Sequence, residues 1–178
     1  MKRRNSSHRA GGFRFGIVAA KFNPSIMRKL LTACLDELVV CRVAAQDIEL
    51  VRVPGAFELP LVAKAMAKSG RFDAVICLGA VIRGNTPHFE YISAEVSRGI
   101  GQAALDTEVP IIFGVLTTET VAQATERADP KKFNRGGDAA KCAIEMALLM
   151  RKIRGDAERL ERGTSSSPNR RAAGRTQR

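Results

Sequence analysis

Asn85, Thr86 and His88 stand in the run Arg83-Gly84-Asn85-Thr86-Pro87-His88, after an apolar stretch and before an amphipathic one. Residues of these types at a helix start suit an anion. The first backbone N–H groups of a helix are unpaired and its dipole is positive there, so phosphate is a natural guest. Thr86 serves equally as a helix cap, and the two roles are compatible. His88 is the one histidine outside the chain ends, since His8 lies among the first residues. A lone histidine is more often structural, but beside an anion site an imidazole can move protons near neutral pH. Arg127, at the end of a short helical stretch, either complements the helix dipole or clamps phosphate with its planar fork. Glu58 stands at a helix start, where a carboxylate favours the dipole. Phe22, Phe57 and Phe113 fall at three strand ends. Each fits the core, and the three together fit the two sides of a flat ring.

These residues need elements to hold them at one place. Phe15 to Ala20 is a short apolar run with the pattern of a buried strand. Asn23-Pro24 follows as a helix start, and Ile26, Leu30, Leu31, Cys34, Leu35 and Leu38 repeat at helical spacing. The unit recurs. Strands are expected at 47–53, 73–82 and 110–116, and helices at 58–68, from His88 to about Leu105, from Thr118 to about Ala128, and from Asp138 to about Arg154. Thr118 is read as a cap, and 131–137 as a loop. Gly99 and Gly101 each weaken the 88–105 helix by about 1 kcal/mol, so close packing against a neighbour is their expected reason. Alternating strands and helices imply an α/β fold: a four-stranded parallel sheet covered on both faces. Ligands of such sheets bind beyond the carboxyl ends of the strands, which selects the segments at 21–23, 54–58 and 83–88 together with Phe113 and Thr117-Thr118.

Composition narrows the function classes. The 178 residues suffice for one domain with a real core. The net charge of +11 lies wholly in the ends: residues 1–14 hold five bases and no acid, 151–178 hold nine bases against three acids, and the residues between carry fifteen of each. A nucleic-acid-binding domain would carry its charge on the folded face, so nucleic acid is expected to bind at most non-specifically, through solvated tails. Cys34, Cys41, Cys77 and Cys142 have neither Cys-x-x-Cys spacing nor a histidine at metal-ligand spacing, and read as small buried thiols. No metal is expected. No apolar run approaches a membrane span or a signal peptide, and the cytoplasm is the expected compartment. Phosphate-loop, dinucleotide-turn and nucleophile-elbow motifs are absent, so no cofactor is expected. The residues alone point to a phosphate-ester site with a general acid/base and an aromatic slot.

Four stretches together resemble the lumazine synthase (6,7-dimethyl-8-ribityllumazine synthase) family: KFN at 21–23, VPGAFELP at 53–60, LGAVIRGNTPHFEYI at 78–92 and FGVLTTET at 113–120, continued by Gln123, Ala124, Glu126 and Arg127. The resemblance covers about residues 14–154. It implies a three-layer αβα, flavodoxin-like fold and the condensation of 5-amino-6-(D-ribitylamino)uracil with 3,4-dihydroxy-2-butanone 4-phosphate in riboflavin biosynthesis. Phe22 is then the stacking partner of the pyrimidine. Ala56, Phe57 and Glu58 hold the ribityl chain and ring, and Ala80, Val81 and Ile82 meet the uracil edge. Asn85, Thr86 and Arg127 hold the phosphate, His88 transfers protons, and Phe113 closes the ring pocket. The resemblance also implies a homopentamer, with Phe113 and Arg127 reaching the pocket of the next chain, and leaves open whether pentamers go on to form a shell.

The ends depart from the family. Its extended N-terminal strand, which pairs with a neighbouring subunit, is replaced here by a polar, basic, Gly-ended stretch. Residues 129–135 read Asp-Pro-Lys-Lys-Phe-Asn-Arg, where the family often has a Gly- and Lys-rich turn. The expected organisation is a flexible basic arm at 1–13, a catalytic domain at 14–154 and a disordered basic tail at 155–178. Two other classes compete: a riboflavin synthase of the archaeal type, and a non-catalytic module that holds a flavin- or pterin-like ring.

Overall fold

The computed structural model describes residues 10–165, with side chains through residue 155. Four strands, β1 (Phe15–Ala20), β2 (Ile48–Val53), β3 (Ala74–Ile82) and β4 (Ile111–Thr118), alternate with helices α1 (Pro24–Val40), α2 (Leu59–Lys68), α3 (His88–Thr107), α4 (Val121–Ala128) and α5 (Arg135–Ser165). All strands pair in parallel, in the order β2-β1-β3-β4. The expected three-layer α/β sandwich is what forms.

The strand sequences show why. In β1, Phe15, Ile17 and Ala19 face α1, α4 and α5, while Val18 and Ala20 face α2 and α3. In β3, Ala74, Ile76, Leu78 and Ala80 take the first side, and Val75 and Cys77 the second. A strand that buries both faces has no use for polar alternation, hence the continuous apolar runs. Side chains such as Phe15, Ile17, Ile76 and Leu78 are fully buried, worth about 1.5–3 kcal/mol each.

Several local expectations change. Residues 10–13 are no loose arm: the Ala10 N–H donates to the Cys41 carbonyl at 3.0 Å, and Ala10 and Phe13 join the core. Arg151 covers the Phe13 ring at 3.3 Å and donates to the Gly12 carbonyl (3.3 Å) and to Asp73 (3.2 Å). Thr118 belongs to β4, buried, with its hydroxyl donating to the Thr120 carbonyl. Thr120 is the true cap of α4, accepting from the Gln123 N–H at 3.2 Å. Gly99 lies against Pro60 of α2, where a Cβ would come within 2.9 Å, while Gly101 has open space around it. Only one of the two glycines is therefore explained by packing within the chain.

The last helix differs most. It starts at Arg135, within the expected loop, and runs past Gly155 to Ser165, where a disordered tail was expected. Asn134 caps its start, its side-chain oxygen accepting from the Gly137 N–H. Gly136 lets α5 cross α1 closely: a Cβ there would lie 2.1 Å from the Leu30 carbonyl oxygen. At the far end, Asp156-Ala157-Glu158-Arg159-Leu160-Glu161-Arg162 is rich in strong helix formers, and one glycine does not break the run.

These two glycines give a paired test in urea unfolding. Gly136→Ala, driven into a backbone carbonyl, is expected to lower stability by about 1–3 kcal/mol, the usual cost of overpacking. Gly155→Ala, with nothing within 4 Å of its Cβ, is expected to raise it by up to about 1 kcal/mol. Equal effects would contradict the close α1–α5 crossing.

Candidate active site

The carboxyl edge of the sheet is built from three tight turns. After β1, the Lys21 N–H donates to the Val53 carbonyl at 2.8 Å and the Phe22 N–H to the Pro54 carbonyl at 3.2 Å, so this turn is pinned to the end of β2. After β2, the Glu58 carboxylate accepts from the Gly55 N–H at 2.9 Å and closes the Pro54–Glu58 turn. Glu58 thus organises its own loop as well as standing at the start of α2. After β3, Arg83 ion-pairs with both Glu90 of α3 and Glu119 beyond β4, lies over the Phe89 ring at 4.4 Å, and donates its backbone N–H to the Thr118 carbonyl. Hydrogen bonding to Arg83 holds the Glu90 carboxyl below its ordinary range. One guanidinium therefore brackets the 83–88 loop between two strand ends and a helix.

Together these turns enclose a cavity of about 710 Å³. Phe22, Ala56, Phe57, Glu58, Ala80, Val81, Ile82, Thr86 and His88 line it, joined by Phe89 and Ile92 from α3. Phe22 and Phe57 are 70% and 57% exposed, so neither aromatic ring is spent on the core. Pro87, not Thr86, holds the cap position of α3, and no side chain caps it. Thr86 and His88 are exposed, and the first N–H groups of the helix have no intrahelical partners. Asn85 is exposed in the same loop but outside the cavity lining.

Phe113 and Arg127 lie elsewhere. Phe113 is opposite Cys77, in the first half of β4. The carboxyl end of β3 is five residues farther on, about 16 Å at strand rise. The three phenylalanines therefore do not share an edge. Phe113 and Arg127 line a second cavity of about 370 Å³ with Arg135, Asp138 and Cys142 of α5. The Arg127 guanidinium sits 5.6 Å from the Phe133 ring and donates to the Gln123 carbonyl at 3.3 Å. Among the described residues it makes no ion pair. Each cavity is thus lined by aromatic side chains, the first with His88 and the second with Arg127.

A family model for 6,7-dimethyl-8-ribityllumazine synthase matches residues 12–151. The chain is 61% identical over 144 residues to the 6,7-dimethyl-8-ribityllumazine synthase of Syntrophus aciditrophicus (strain SB), spanning 81% of this chain and 94% of that relative. The chain belongs to the 6,7-dimethyl-8-ribityllumazine synthase family.

The family match includes every residue that lines either cavity. Sequence reasoning gave no individual role to Arg83, which brackets the 83–88 loop, or to Phe89 and Ile92, which line the first cavity. Ile92 carries a readable signal, since it follows His88 by four residues, on the same helix face. Arg83 falls in the 83–88 segment that the strand-end rule selects, but its two ion pairs carry no signal, because their partners are brought to it by the fold. Among the described residues, no three His, Cys, Asp or Glu side chains gather as a metal cage, and no helix is long and apolar enough to cross a membrane.

The cysteines divide in two. Burial pushes the Cys34 and Cys77 thiols up to about 12. Cys41 is half-buried, and Cys142 is exposed on the wall of the second cavity, contrary to the expectation of four buried thiols. At pH 8, Cys34 and Cys77 lie far below their titration, so they hold no thiolate to react. With a thiol-specific disulfide reagent, both are expected to react only after unfolding. Rapid labelling of either in the native protein would contradict this burial.

Proposed function

We propose that the 710 Å³ cavity is one half of an active site completed by Phe113 and Arg127 of a neighbouring copy, in a homopentamer. The reaction condenses 5-amino-6-(D-ribitylamino)uracil with 3,4-dihydroxy-2-butanone 4-phosphate to 6,7-dimethyl-8-ribityllumazine, in riboflavin biosynthesis, and releases phosphate and water. One observation carries the shared-site reading: Phe113 and Arg127 open on a different cavity from Phe22 and His88. A head-to-tail ring places one surface of each copy against a different surface of the next, which brings the two halves together five times over.

In this reading Phe22 stacks on the pyrimidine and Phe113 of the neighbour closes over it. Ala56, Phe57 and Glu58 hold the ribityl chain and ring, and the rim at Ala80, Val81 and Ile82 meets the uracil edge. The 5-amino group attacks the butanone carbonyl, and loss of water gives an imine. Elimination of phosphate follows, and the second amine closes the ring with loss of a second water. His88, exposed at the start of α3, moves the protons these steps require. Asn85, Thr86, the first N–H groups of α3 and the neighbour's Arg127 hold the phosphate and stabilise its departing charge. Positioning supplies most of the advantage, since both substrates react readily once aligned.

Catalysis is placed within residues 14–154 and in the cytoplasm. The basic ends are assigned a non-specific attraction for polyanions such as RNA, because all the excess charge of a chain with an otherwise balanced middle lies there.

The shared site is tested by mixing. His88→Ala and Arg127→Ala subunits, unfolded together and reassembled at equal ratio, leave about a quarter of ring interfaces with both groups intact. Activity near that fraction of wild type is expected, from parents that are each tenfold or more impaired. No recovery after verified mixing would place the whole site in one chain. Deletion of 1–9 and 166–178, which keeps Ala10 and all of α5, is expected to keep turnover within about twofold, and to abolish salt-sensitive retention of RNA. RNA binding that survives the deletion would assign it to the folded body.

A further inference from the structure

We infer that Asn23 is a positioning residue that holds the Phe22 face of the cavity against the β3 rim. The inference rests on the proposed reading of that cavity as the pyrimidine site.

Asn23 directly precedes α1 and has a left-handed backbone, φ 58° and ψ 58°, a conformation asparagine tolerates better than most residues. Its sequence position suggests a helix cap, yet its side chain makes no capping bond. The other left-handed asparagine, Asn134, does cap its helix, so the backbone conformation alone does not divert the side chain. The Asn23 amide nitrogen instead donates to the Ala80 carbonyl at 3.0 Å, across 57 residues of sequence.

The sheet explains why that carbonyl needs a donor. Pairing of β1 with β3 ends at Ala19 with Leu78. β3 continues to Ile82, held from then on by β4 alone. Ala80 is 5% exposed, and a carbonyl buried there without a partner costs stability. The Asn23 amide supplies a bond to β3 after β1 has turned away. It also fixes a distance: Phe22, one residue back, stands opposite the Ala80–Ile82 rim in the same cavity. This amide ties the Phe22 side of the slot to β3, as the Phe22 N–H ties it to Pro54 at the end of β2. The start of α1 does not depend on it, because the Ile26 and Met27 N–H groups donate to the backbone carbonyl of Asn23.

Asn23→Asp keeps shape and tolerance of positive φ but replaces the donor with an acceptor facing the Ala80 carbonyl. Asn23→Gly keeps the backbone and removes the side chain. Both, with Phe22→Ala beside them, are assayed for KM toward the ribitylaminouracil and toward the butanone phosphate, with native mass measured on each. For both Asn23 variants we expect the ribitylaminouracil KM to rise about tenfold or more, as displacement of positioning groups does, with the butanone phosphate KM and the native mass unchanged. A rise in Phe22→Ala with none in either Asn23 variant overturns the role of Asn23 and leaves the site reading intact. Equal rises for both substrates, or loss of native mass in both Asn23 variants, make Asn23 merely structural and overturn the inference. No change in Phe22→Ala removes the pyrimidine site from this cavity, and the inference with it.

Discussion

Burial of β1 and β3 on both faces is the constraint from which the rest of the structure follows. Two inner strands sheathed by helices leave no room for a polar or ionisable side chain along their length, and among the described residues Thr118 is the only buried polar one. Chemistry is pushed to where the strands stop. They stop unevenly: β1 and β2 end together, while β3 and β4 run farther. The step between them is the cavity. Its floor is apolar strand end, its walls are turns, and its rim carries the histidine and the threonine.

Because the core is built this way, most of it is legible in sequence. A short apolar run bounded by turn residues means a strand covered on both sides, and four such runs with amphipathic stretches between them leave few other folds. The cavity-lining residues at 22, 56–58, 86 and 88 are legible for the same reason, since the rule for parallel sheets selects strand ends before any side chain is considered, while 80–82 come from the family resemblance. What escapes the sequence is where backbone conformation or tertiary contact decides. Asn23 has the residue type of a cap but a left-handed backbone aimed at β3. Thr118 and Thr120 are equally good caps on paper, and only the length of β4 separates them. Gly136-Gly137 reads as a loop until the crossing with α1 shows that glycine is there for approach. Phe113 lies in a strand whose end is farther along than its hydrophobicity suggests, so it falls to the other cavity.

Arg83 illustrates a different limit. It is an exposed cation with two exposed acids, an arrangement that contributes little to stability. Its value is geometric: it ties Glu90, in the first turn of α3, to Glu119, just beyond β4. The bracket ties the 83–88 turn to β4 and α3 and satisfies Arg83, so its charge stays with the two acids. Arg127, on the other cavity, makes no ion pair among the described residues.

The anchoring of Gly12 and Phe13 by Arg151 has a consequence for anything attached to this chain. Arg151 and Arg154 lie by Asp73 and Glu108, just before β3 and β4, and Arg14 lies just before β1. Residues 12–14 and 151–154 are therefore tethered at the amino edge of the sheet. The cavity lies at the opposite edge, and the nine residues of β3 between them span about 30 Å. A reporter attached at the exposed Gly11 would start from this corner, facing away from the cavity.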